Sequence, residues 1–197
     1  DMVAGTAARK AFDIGSEDPR LRERYGRTRW GQTALLARRM VEAGSTFVTC
    51  DFGGWDDHWN LEGGYNNKLP QLDMAVASLY EDLDARGLLD QVLVMVCGEF
   101  SRTPKMNNGH NGRGTPGRDH WGNSMSCVMG GGGVKGGQIV GSTDRLGEAP
   151  KDRPLTPSDI HATIYHVLGV DPRISFLDFT GRPIPAVESG KVIHELI

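Results

Sequence analysis

Two short stretches of this 197-residue chain gather the side chains best suited to holding a metal ion. One is Gly54-Trp55-Asp56-Asp57-His58. The other is Gly98-Glu99-Phe100-Ser101-Arg102-Thr103-Pro104 with its sequel Gly117-Arg118-Asp119-His120-Trp121. Asp56 and His58 are two residues apart, so an extended backbone points both to one side, where they can share an ion. A carboxylate oxygen with an imidazole nitrogen suits Zn, Mn or Fe better than Ca or Mg. A turn aspartate beside a surface histidine is the plain alternative. Asp57 is a second carboxylate, expected to point the other way.

Glu99 closes an apolar run, where a carboxylate is costly to bury without a cation or donors. A metal ion would meet that need, and so would Arg102. Adjacent residues seldom share one ion, so in Asp119-His120 the histidine is read as the ligand and the aspartate as the group that orients it. Arg102, Lys105, Arg113 and Arg118 bring four cations into the same loop, and guanidinium forks suit phosphate or sulfate. The competing reading is a solvated basic loop.

Other candidates carry less. His161 and His166 fall about 140° apart on one helix at about 100° per residue, so they do not share a site. His110 and His194 stand alone. The run Gly130-Gly131-Gly132-Gly133 lacks the Gly-Lys-Ser/Thr of a phosphate-binding loop and reads as a flexible strand exit. Cys50, Cys97 and Cys127 form neither a CxxC pair nor a zinc knuckle, and are expected to be buried free thiols. There is no Gly-x-Ser-x-Gly elbow, and a protein nucleophile is not visible beyond Ser101 and Thr103 near a strand end.

These loops must be positioned by regular elements. Trp30, Ala34, Ala37 and Val41 follow the spacing of one helical face, stopped at Gly44, and lead into an expected strand at Thr46–Cys50. Leu72, Val76, Leu79 and Leu83 repeat the pattern, end near Gly87 and lead into Val92–Cys97, apolar at every position as in a strand covered on both faces. A third strand is expected at Met125–Met129. Thr156-Pro157-Ser158-Asp159 reads as a capped start of a last helix that Gly169 closes. Alternating helices and strands predict an α/β fold with a mostly parallel sheet covered by helices, in a single domain. Both motif-bearing loops leave the carboxyl ends of strands, where such sheets bind ligands, so they are expected to face each other.

Composition narrows the classes. With 22 basic against 25 acidic side chains the net charge is -3, which excludes a dedicated nucleic-acid binder. No apolar run approaches the roughly 20 residues of a membrane span. The start at Asp1-Met2 lacks the layout of a signal peptide. With no initiator Met and an apolar Glu195-Leu196-Ile197 end, the chain is expected to be a processed product or a fragment of a longer protein.

The motifs together resemble the carboxy-terminal part of the DUF1501 family, bacterial proteins common in planctomycetes and grouped with the alkaline phosphatase and sulfatase superfamily. The likeness spans essentially the whole chain. It rests on Ala11-Phe12-Asp13, Arg24-Tyr25-Gly26, Leu35-Leu36-Ala37-Arg38-Arg39 with Glu42-Ala43-Gly44, the two motif loops, and Asp159-Ile160 leading to Leu168-Gly169. The resemblance implies an alkaline-phosphatase-like fold, with Asp56, His58 and His120 as metal ligands and Glu99 near the place of a carboxylate ligand. It also implies an exported or periplasmic location. Two departures stand out: Glu99-Phe100 replaces the usual Asp-His, and the amino-terminal nucleophile segment has no counterpart. The expected function is metal-dependent hydrolysis of sulfate or phosphate esters, with Arg102, Arg118 and Asp119 in the catalytic machinery. The substrate would be a small anionic ester or a sulfated or phosphorylated glycan. The rival is a non-catalytic, metal-containing module that binds an anionic glycan or a protein partner.

Overall fold

The computed structural model describes residues 5–109 and 114–197. His110 and Arg113 lie outside the described residues. The chain divides into two compact units, Asp1–Leu88 with Lys105–Asp119, and Leu89–Pro104 with His120–Ile197.

The first unit is helical. Its helices are α1 (Thr6–Phe12), α2 (Pro19–Tyr25), α3 (Arg29–Glu42) and α4 (Leu61–Ala85). Asp18 caps α2 by accepting from the Arg20 amide at 2.8 Å, with Pro19 at the first helical position. Thr28 caps α3 by accepting from the Gly31 amide at 3.2 Å. Tyr25, Ala34, Leu35 and Ala75 form the core, with Leu21, Phe52 and Leu79 packed against it. Each large apolar side chain fully withdrawn from water contributes about 1.5–3 kcal/mol.

A charged cluster is buried beside this core. The Arg38 side chain is 1% exposed and lies between three carboxylates: Asp82 at 2.8 Å, Glu17 at 2.9 Å and Glu42 at 2.5 Å. Burial works against the Arg38 charge, but the Glu42 and Glu17 carboxylates outweigh it and raise the guanidinium above its ordinary value. The Tyr25 hydroxyl donates to Asp82 Oδ2 at 3.0 Å, and burial followed by the Asp82 charge pushes its pKa up. Arg86 closes the cluster with bonds to Asp82 and Glu42, both at 2.8 Å.

The second unit carries α5 (Pro157–Val167) and four two-stranded antiparallel ladders. These pair β1 (Val94–Cys97) with β4 (Cys127–Gly130), and β2 (Ser101–Arg102) with β3 (His120–Trp121). They also pair β5 (Ser142–Thr143) with β6 (Pro150–Asp152), and β7 (Ser175–Leu177) with β8 (Pro183–Pro185). Thr156 and Asp159 form a reciprocal capping box on α5, with Pro157 at its first position. Buried Thr163 donates to the Asp159 carbonyl at 2.7 Å and accepts the Ile193 amide at 3.0 Å, clipping the carboxy-terminal segment onto the helix. The glycine run after β4 has a structural use. Gly131 adopts φ +74°, and a Cβ there would meet the Val92 carbonyl at 2.3 Å.

These ladders correct the expected fold. The described residues contain no parallel sheet, so the α/β, alkaline-phosphatase-like architecture covered by helices is not what the chain forms. The apolar run at 92–97 does make a strand, but it pairs antiparallel with Cys127–Gly130. Residues 46–50 form no strand and join no ladder. Phe47 of that segment is 68% exposed, and Cys50 directs its sulfur to the Thr33 carbonyl at 3.9 Å. An apolar run announces a strand, but neither its partner nor its direction. No helix among the described residues is long and apolar enough to cross a membrane.

Candidate functional site

Within the first unit the 51–60 segment is anchored by aromatic stacking. Trp30 stacks on Phe52 and on Trp55, each with centroids 5.4 Å apart, and Tyr65 meets the Trp55 ring edge-on at 5.7 Å. The Trp55 indole N–H donates to the Phe52 carbonyl at 2.6 Å, tightening the turn. Trp59 is instead 52% exposed.

The two aspartates then diverge. Buried Lys68, on α4, bonds to the Asp57 carboxylate and to the Gly54 carbonyl at 2.5 Å, with its ammonium 5.2 Å from the Trp55 ring centroid. Asp57 is thereby engaged in holding the loop. Asp56 and His58 meet each other: His58 Nδ1 lies 3.2 Å from Asp56 Oδ1. The Asp56 side chain is 65% exposed and the His58 side chain 23%. Two donors at about 2.0–2.1 Å from a tetrahedral ion sit roughly 3.3–3.4 Å apart, so the observed separation fits a shared ion. An ion pair with protonated His58 would have the same length.

Residues 115–118 are laid along this loop by main-chain bonds. Asn60 and Leu61 amides donate to the Thr115 and Pro116 carbonyls, both at 3.1 Å, and the Arg118 amide donates to the Asp57 carbonyl at 3.2 Å. Gly117 sits so close that a Cβ there would lie 2.1 Å from the His58 carbonyl carbon, so only glycine fits.

Asn107 clamps the two segments with its whole amide. Nδ2 donates to the His58 carbonyl at 3.1 Å and to Asp119 Oδ1 at 3.2 Å, while Oδ1 accepts the Gly109 and Gly117 amides, both at 2.9 Å. Asp119 is held through Asn107 in the same unit as His58. The Arg118 Nε is buried and has no hydrogen-bond partner among the described residues.

The remaining sequence candidates belong to the second unit. Glu99 is exposed in the turn between β1 and β2, so the cost of burial inferred for it does not arise. Arg102 and His120 are register partners across β2 and β3. Phe100 packs on the His120 ring with centroids 4.6 Å apart, and the Arg102 guanidinium lies 5.9 Å from the Phe100 centroid. Of the histidines read as isolated or structural, His194 lies in a short 3-10 turn and His161 and His166 lie on α5.

A family model described as "Protein of unknown function (DUF1501)" matches residues 2–197. The chain belongs to the DUF1501 family. No curated protein and no solved structure matches it.

For this DUF1501 chain, reading by residue type singled out Asp56, His58 and Arg118 but missed Asn107 and Lys68. Lys68 lies within a helical stretch and reads as a solvated cation. Asn107 left one trace, the Asn-x-Gly spacing to Gly109 that marks a side chain bonding the amide two residues on.

Proposed function

We propose that Asp56 and His58 hold a divalent transition metal and that the site hydrolyses a sulfate or phosphate ester. The observation that carries this reading is the 3.2 Å approach of an exposed carboxylate oxygen to an imidazole nitrogen. Lys68 and Asn107 hold both neighbouring backbones in place around that pair. Those donors suit Zn, Mn or Fe. His120, next to Asp119 in sequence, is the further histidine proposed as a ligand.

A bound metal would supply charge to polarise the ester oxygen. This chain's own residues contribute the rest. Arg118 brings a guanidinium to the same loop, its buried Nε without a hydrogen-bond partner among the described residues, and such a group suits an anionic oxygen. Asp119, fixed by Asn107, is an acceptor that can orient a neighbouring histidine or water. Arg102 is proposed as a second cation for the developing negative charge.

The test is turnover of aryl sulfate and aryl phosphate esters by the protein supplied with Zn, Mn or Fe. Activity that falls at least tenfold in both His58→Ala and Arg118→Ala supports the reading. Turnover unchanged by His58→Ala overturns it. Tight metal binding without turnover of any ester would move the assignment to a non-catalytic, metal-containing module for an anionic glycan or protein partner.

A further inference from the structure

Cys97 and Cys127 are far apart in sequence, yet they are the terminal register pair of the β1 and β4 ladder, directly opposite each other within one unit. Opposed residues of an antiparallel pair have Cα atoms roughly 4.5–5.5 Å apart, inside the roughly 4.4–6.8 Å that a disulfide spans. Side-chain alternation puts Cys97 on the face of Met95 and Cys127 on the face of Met129, so the two sulfurs share one side of the ladder.

The pair also has freedom to adjust. Beyond it the next paired residues are Ser101 and Trp121, reached through residues 98–100 on one strand and 122–126 on the other. This unpaired interval lets the cysteines settle into disulfide geometry without breaking a ladder on both sides. Access is unequal: Cys97 is exposed, Cys127 half-buried. Burial, then the neighbouring Cys97 thiolate, pushes the Cys127 thiol up, in keeping with two sulfurs close together. Cys50 differs. It belongs to the other unit, and burial raises its thiol with no cysteine among the causes.

We propose that Cys97 and Cys127 form a reversible cross-strand disulfide, a redox-responsive modification site driven by a low-molecular-weight disulfide. The exposed Cys97 thiolate attacks one sulfur of the oxidant, whose S–S bond breaks and releases one thiolate. Cys127 then gives its proton to water and attacks the Cys97 sulfur, displacing the second half of the oxidant as a thiolate, and the two released thiolates take up the protons that the two cysteines shed to water. Two protein thiols are oxidised to one disulfide, and one small disulfide is reduced to two thiols. The new bond joins the strand that leads into Glu99–Arg102 to the strand that follows His120–Trp121. It closes a covalent ring around the register pair Arg102 and His120.

The experiment treats the folded protein with glutathione disulfide, alkylates remaining thiols with iodoacetamide, digests with trypsin and reads the peptides by mass spectrometry. Cleavage after Arg86, Arg102, Arg118 and Lys135 places Cys97 on the peptide Gly87–Arg102 and Cys127 on Asp119–Lys135. The expected result is those two peptides linked, at the summed mass less two hydrogens, separated by dithiothreitol, with Cys50 alkylated. Cys50→Ser retains the link; Cys97→Ser and Cys127→Ser lose it. The proposal is overturned if all three cysteines are alkylated, if Cys97 ends as a lasting glutathione adduct, or if the link involves Cys50. The unsubstituted protein gives that answer even where a serine variant fails to fold.

Discussion

Replacing Asn107 should loosen residues 107–109 and 115–119 without unfolding helices α3 and α4. Its amide makes four hydrogen bonds, at 2.9, 2.9, 3.1 and 3.2 Å. Each contributes about 1 kcal/mol net in a buried setting. Asn107 is half-buried, and water can restore part of that energy once the side chain is removed. Asn107→Ala should therefore lower the free energy of local opening by about 2 kcal/mol, a change of roughly 30-fold in an equilibrium constant. Native-state hydrogen exchange reads this directly. Protection should fall by that factor at the Asn60, Leu61 and Arg118 amides, whose acceptors lie across the clamp, and at least as far at Gly117, whose acceptor is the Asn107 Oδ1 that the substitution removes. The Ala34 and Leu35 amides of α3 should keep theirs. Asn107→Asp should be worse near neutral pH, because it replaces the donor facing the His58 carbonyl and the Asp119 carboxylate with a negative oxygen. Protection at Gly117 and Asn60 unchanged in Asn107→Ala would refute the reasoning.

Other consequences can be checked in the same protein. Arg38→Met removes the most buried cation from among Asp82, Glu17 and Glu42, leaving them to Arg86 and Arg39, and should cost about 3 kcal/mol by urea denaturation followed by circular dichroism. Burial raises the Glu17 pKa, but the Arg38 and Arg39 guanidinium groups outweigh it and hold the carboxyl below its usual 4.5. Its contribution to stability is therefore full above pH 4.5 and drains as pH falls through the depressed value, a slope that should flatten in Arg38→Met. Gly117→Ala places a methyl against the His58 backbone and should weaken metal affinity at least tenfold by calorimetry, whereas Gly122→Ala, with open space at its Cβ, should not. Thr156→Ala removes half of the capping box on α5 and should cost about 1 kcal/mol, read from the urea midpoint.

The helices with local signals were legible in the sequence. Trp30, Ala34, Ala37 and Val41 all lie on α3, although its buried side is Trp30, Gly31, Ala34, Leu35 and Arg38, and the Thr156 cap with Pro157 opens α5 where that pattern says it should. The start of α4 was hidden. Its first turn holds Gly63 and Gly64, Pro70 sits in its interior, and the Asn60 side chain makes no cap bond; carbonyls of Thr115 and Pro116 accept the first amides instead. A cap supplied by residues more than fifty positions away leaves no local pattern. The strand partners were hidden for a related reason. Helix-strand alternation suggested parallel pairing, while the register that formed matches Val94–Cys97 with Cys127–Gly130 in opposite sense. At the site, the two-residue spacing of Asp56 and His58 was enough to suggest a shared ion. The engagement of Asp57 was less visible, because its partner Lys68 comes from the next helix.

Metal content tests the central claim most directly. The purified protein, equilibrated with Zn, Mn or Fe and freed of excess, would be measured by plasma mass spectrometry beside Asp56→Ala and His58→Ala prepared identically. The account requires near-stoichiometric metal in the unsubstituted protein and its loss in both variants. Metal retained in both variants, or none bound by the unsubstituted protein, would contradict it and leave the Asp56–His58 contact as an ordinary ion pair.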